Sequence, residues 1–161
     1  MVTQEKLKIL FNYCSDTGIF THRKKRQKVV VGTIAGWLDD KGYNTLKIYR
    51  KEYRASRMAW LYVYGVLPDK YIDHKNGIRN DDRINNLRLA TSAENGFNRK
   101  ISTRATSGFK GVCFHKQAKK WQASAGPRGH ATYLGLFNTP QEAHAAYCAH
   151  AKKKYGDFFH A

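Results

Sequence analysis

Apolar positions fall into short alternating runs, broken by glycine, asparagine and basic clusters, over the 161 residues of the chain. That pattern predicts small antiparallel sheets with few helices, an α+β class. Tyr13 to Phe20 reads as a turn and strand around Asp16-Thr17-Gly18, and the basic run His22 to Lys28 as a loop. Tyr43 to Tyr49 is β-rich, and Arg50-Lys51 turns it into a partner strand, Glu52 to Arg54. Ser56 is placed to cap a helix carrying Met58, Ala59, Leu61, Tyr62 and Val63, with Gly65 ending it and Pro68 beyond. Next come strand Tyr71 to His74, turn Lys75-Asn76-Gly77 and strand Ile84 to Ala90. Thr91-Ser92-Ala93-Glu94 then has the spacing of a capping box. Ile101 to Ser107 is polar and unpatterned, a linker. Beyond it lie strands Gly111 to His115, Trp121 to Ala125 and Thr132 to Phe137, the last two joined by a turn at Gly126 to Gly129. Thr139-Pro140-Gln141-Glu142 opens a final helix that Gly156 stops. Three parts follow: 1–100, a linker 101–107, and 108–161.

Charge sharpens this outline. The net charge is +17, and hydrophobic residues make up 42%, enough for packed interiors. Residues 1–60 hold 13 Lys/Arg against 5 Asp/Glu, and residues 101–161 hold 9 against 2. Between them, residues 61–100 hold 7 against 5, including Asp69, Asp73, Asp81, Asp82 and Glu94. Basic flanks attract a polyanion by counterion release, so nucleic acid is the expected partner. Carboxylates kept in the middle suggest a cation site. No uncharged apolar run spans a bilayer, no membrane partner is expected, and the first ten residues lack a secretory pattern. Cys14, Cys113 and Cys148 are far apart with no CxxC pair, which argues against a disulfide framework and a structural zinc. A reduced, cytoplasmic protein is expected.

The middle carries the chemistry. Asp73-His74 at a strand end pairs a hard metal ligand with a general base, and adjacent strand side chains reach one site only if the chain bends there. Oxygen ligands select magnesium, manganese or calcium. Asn95, in the first turn of the next helix, offers an amide oxygen to the same ion, and Asn86 offers a hydrogen bond across the loop.

The run Asp73-His74-Lys75-Asn76-Gly77, Asp81-Asp82-Arg83-Ile84-Asn85-Asn86-Leu87-Arg88 and Glu94-Asn95 resembles the HNH endonucleases, more narrowly the phage and intron-associated homing type. Lys41-Gly42-Tyr43, Arg54 to Trp60, and Gly65 before Pro68 extend that resemblance upstream. It implies a ββα-metal core at about 69–100 that hydrolyses DNA phosphodiesters, nicking or cutting the duplex, with one divalent metal ion, Mg²⁺ or Mn²⁺. It also implies His74 as base, Asp73 and Asn95 as metal ligands, and Asn86 as the residue orienting the loop. Asn95 stands where a His is common, and Asp82 where Asn is usual.

In the last part, one sheet face combines Lys110, Cys113, His115, Gln122, Ser124 and Tyr133, with Val112, Ala123 and Leu134 turned toward the helix. Ser107 to Val112, Lys120 to Ala123, Tyr133 to Phe137 and Glu142 to Tyr147 resemble the ethylene-response-factor (APETALA-type) DNA-binding domain. The resemblance implies a three-stranded sheet that reads DNA, packed on one helix. The expected DNA contacts are Lys75, Arg83, Arg88, Lys110, His115, Lys116, Lys119, Gln122, Ser124, Arg128 and Tyr133. The expected function is a site-specific, metal-dependent endonuclease, acting in the host cytoplasm if phage-encoded, as monomer or dimer. The alternatives are a DNA-binding regulator with an inactive nuclease core and a structural RNA-binding protein.

Overall fold

The computed structural model describes residues 2–26, 28–97, 106–126 and 130–156, apart from the side chains at 93, 96 and 97. The chain divides into two compact units, Met1–Ala90 and Thr91–Ala161. The boundary expected near residue 100, most of the expected linker, and Arg128 lie outside the described residues.

The first unit begins with helix α1 (Gln4–Leu10), capped by Thr3, whose side chain accepts from the Lys6 N–H. It buries Leu7 and Leu10 and runs directly into hairpin β1 (Phe11–Tyr13) and β2 (Phe20–His22). A three-stranded antiparallel sheet follows: β3 (Trp37–Leu38), β4 (Asn44–Ile48) and β5 (Lys51–Arg54). Helix α2 (Ala55–Tyr64) leaves β5 without a break. The expected capping by Ser56 does not occur: Arg54 holds the cap position, no side chain caps the end, and Ser56 is buried within the first turn. Gly65 ends the helix, its N–H bonded to the Leu61 carbonyl. Phe11, Phe20, Leu46, Ile48, Met58, Ala59 and Leu61 join these elements in one core, which Leu87 also enters.

Leu87 belongs to the hairpin of β6 (Tyr71–His74) and β7 (Leu87–Ala90), whose register pairs Asp73 with Arg88 and His74 with Leu87. The strand expected from Ile84 is shorter than predicted. Residues Ile84–Asn86 form a 3-10 turn, which lets the loop close back before β7 starts.

The second unit opens with α3 (Ser92–Phe97), where Thr91 and Glu94 complete the predicted capping box. Strands β8 (Val112–His115), β9 (Lys120–Ala125) and β10 (Thr132–Phe137) form a meander against α4 (Pro140–Tyr155). Thr139 and Glu142 form the second capping box. Val112, Ala123, Ala125, Ala143, Tyr147 and Ala151 are buried between sheet and helix.

Candidate active site

Four polar side chains of the β6–β7 region are almost wholly buried: Asp73 (4% exposed), His74 (6%), Asp82 (1%) and Asn86 (9%). Burying such groups is costly unless each finds partners, and here each does. The β6–β7 ladder stays regular through His74, so the bend that would bring both side chains to one site is absent, and Asp73 and His74 leave the strand on opposite faces. Asp73 meets its cross-strand neighbour: Arg88 donates through Nε to Asp73 Oδ2 at 2.8 Å, and its second nitrogen lies 2.8 Å from the same oxygen. Arg88 was expected to contact DNA. Instead its guanidinium, 12% exposed, is committed to Asp73.

His74 faces the other way. Its Nε2 lies 2.9 Å from Asp82 Oδ1, and its ring stands 6.1 Å from that of Tyr43. The second oxygen of Asp82 accepts from Asn44 Nδ2 at 2.9 Å, and the Asp82 carbonyl accepts from the Tyr13 hydroxyl at 2.6 Å. Burial, and then the nearby Asp82 carboxylate, push the Tyr13 phenol above its ordinary pKa, so it stays a donor.

The loop between the strands is tied through Asn86. Its Nδ2 donates to the Asp81 carbonyl at 2.7 Å and to Asn76 Oδ1 at 3.1 Å, and its Oδ1 accepts from the Asn76 N–H at 3.1 Å. Asn76 in turn donates to Asp81 Oδ2 at 2.6 Å. Arg83 forks onto Asp81 at 2.7 and 2.6 Å, which holds that carboxyl down at about 2. Lys75 Nζ donates to the Asn85 carbonyl at 2.7 Å. Both Arg83 and Lys75 are exposed while serving the loop.

Asn95 lies in the first turn of α3, its N–H bonded to the Thr91 carbonyl, in the second unit. The site described here is therefore the first unit's contribution. Asp73 offers a hard carboxylate oxygen, a donor type that suits a magnesium-like ion. Among the described residues no three His, Cys, Asp or Glu side chains gather into one group.

On the second unit, the register places Cys113, His115, Gln122, Ser124 and Tyr133 on the sheet face away from the buried Val112 and Ala123. Tyr133 is exposed, Gln122 and Ser124 half-buried, and Lys116 and Lys119 project from the β8–β9 turn. His115 accepts from the Ala118 N–H through Nδ1 at 3.1 Å. Lys110 departs from the expected face. It precedes β8, and its half-buried ammonium lies near Cys148 of α4, burial lowering its pKa.

Sequence reasoning missed the partners of His74. Asp82 stands out in the sequence as one of the middle carboxylates and as an unusual residue in its motif, but not as the partner of His74, and nothing in the chain signals Asn44 or Tyr13. Arg88 meets Asp73 through the β6–β7 register, which the long connection from Lys75 to Asn86 leaves unset in the sequence.

A family model described as HNH endonuclease matches residues 53–97. The chain is also 36% identical over 87 residues to Protein 3.8 of Escherichia phage T7, a stretch covering 52% of this chain and 72% of that protein. No solved structure matches the chain. Among the described residues no helix is long and apolar enough to cross a membrane.

Proposed function

The chain belongs to the HNH endonuclease family, and from that premise we propose that it is a divalent-metal-dependent DNA endonuclease whose base is His74. The observation that carries this is buried His74 inside the matched segment, its ring nitrogen 2.9 Å from the Asp82 carboxylate, with Asp73 held by Arg88 on the other face of the strand. A surface His or a structural ion pair needs no such arrangement. His74, held in place by its ring nitrogen, takes the proton of the attacking water. Asp73 is a ligand of the cation, and Arg88 fixes its carboxylate. When bound, the cation supplies neutralising charge at the departing oxygen. Asn86 keeps the loop from Asn76 to Asp81 closed beside the base.

The second unit places the nuclease on its target as an APETALA-like module. Its sheet face presents Gln122, Ser124 and Tyr133, and polar side chains on a small sheet read base edges in the major groove. Lys116 and Lys119 supply phosphate contacts at its rim. Homing-type site selection follows if this module, rather than the nuclease, chooses the sequence. Supercoiled plasmid incubated with the full chain tests the reading. Open circles should appear with Mg²⁺ and not with EDTA, and binding without cutting in both would favour a regulator with an inactive core.

A further inference from the structure

We propose that Asp82 is the positioning residue of the base, and that the N-terminal hairpin together with Asn44 holds Asp82 in turn. The proposal rests on the reading of His74 given above. Asp82 is the most buried of the four polar residues and has both carboxylate oxygens engaged, one on His74 Nε2 and one on Asn44 Nδ2. A carboxylate only accepts, so the ring nitrogen facing it carries the hydrogen, and imidazole orientation and tautomer are set together.

The backbone of Asp82 is clamped as firmly as its side chain. The Tyr13 hydroxyl donates to its carbonyl, and the Ile84 N–H donates to the Ser15 carbonyl at 3.2 Å. At Gly18 the two segments approach so closely that a Cβ would stand 2.5 Å from both the Asp82 carbonyl carbon and the Arg83 nitrogen. Gly18 also has φ +72, so glycine answers both demands at once. Tyr13, Ser15, Gly18 and Asn44 all lie outside the 53–97 segment that the HNH family model matches. The base of this chain is thus oriented by residues beyond that segment.

Asn44 explains why a carboxylate stands at position 82. Its amide donates to the Asn80 carbonyl at 3.0 Å and to Asp82 Oδ2, so it presents a donor to residue 82 while His74 presents another. A carboxylate satisfies two donors, whereas an amide satisfies one and opposes the other.

The test measures steady-state nicking by the full chain, alongside thermal unfolding, for wild type, His74→Ala, Asp82→Ala, Asp82→Asn and the double variant Asp82→Asn/Asn44→Asp. Misplacing a catalytic group by an ångström costs on the order of 10²-fold. Asp82→Ala should therefore lose about that much kcat with KM for DNA unchanged. Asp82→Asn, which keeps one acceptor, should fall between it and wild type. The double variant supplies an acceptor opposite the new amide and should recover part of the loss, though not the bond to Asn80. The proposal is overturned if Asp82→Ala and Asp82→Asn cut at the wild-type kcat, if their losses appear equally in KM, or if the double variant does no better than Asp82→Asn. A wild type that never nicks would sink the nuclease reading itself. Wild-type cutting with an inert His74→Ala and unaffected Asp82 variants would remove only the positioning role.

Discussion

Gly18→Ala probes the joint between the N-terminal hairpin and the loop that carries Asp82. Two terms add. Holding alanine at φ +72 costs roughly 1–2 kcal/mol. The new methyl would also stand 2.5 Å from backbone atoms of Asp82 and Arg83, which cannot rotate aside. The hairpin must back away, giving up the Tyr13–Asp82 hydrogen bond, worth about 1 kcal/mol. Gly18→Ala should therefore destabilise the first unit by about 2–3 kcal/mol, a large share of the 5–15 kcal/mol typical of a domain. Gly42→Ala is the matched control: φ is +77 there, but no atom lies within 4 Å of the added methyl, so only the first term applies. Urea unfolding of both variants, followed by the fluorescence of Trp37 and Trp60, gives the two costs separately. Equal destabilisation by the two substitutions would refute the claim that close approach at Gly18 clamps the loop.

Arg88→Met takes the guanidinium away from the buried Asp73 carboxylate, a loss of up to about 3–5 kcal/mol, and thermal unfolding with and without Mg²⁺ should show that loss. Acid should loosen the Asn76–Asp81 loop: the folded carboxyl of Asp81 titrates near 2, below the ordinary value of 3.8, so its contribution is full above about pH 4 and is lost as pH falls toward 2. Amide exchange of Asn76 and Arg83 across that window checks the direction, and unchanged protection would contradict it. Replacing Lys116 and Lys119 together by alanine should reduce the log–log salt dependence of DNA affinity by about 1.8, at roughly 0.9 per phosphate contact, and leave kcat in place. An unchanged slope would move DNA contact elsewhere.

What the sequence revealed was local. Both capping boxes, Thr91 with Glu94 and Thr139 with Glu142, are legible because cap and partner stand three residues apart. The Asp73-His74 pair stands out as neighbours in sequence, and Asn86 through the HNH resemblance of the run it belongs to. Helix α1 is not legible, since seven residues are too few for a helical period to emerge from QEKLKIL. Nor is β3, only two residues long. Ser56 misled because the cap position went to Arg54, whose guanidinium is engaged with Asp39 and Thr45 while β5 runs straight on into α2. The contacts that orient His74 are long-range, with Tyr13 69 residues from Asp82, and no periodicity or spacing encodes such a pairing.

The central claim is that His74 is the general base of a DNA-cutting site, and single-turnover cleavage beside equilibrium DNA binding tests it most directly. With saturating Mg²⁺, His74→Ala should cut slower than wild type by on the order of 10²–10⁴, while its affinity for the same duplex stays within about twofold, since the base acts on water and not on binding. Cleavage by His74→Ala at the wild-type rate would contradict the account.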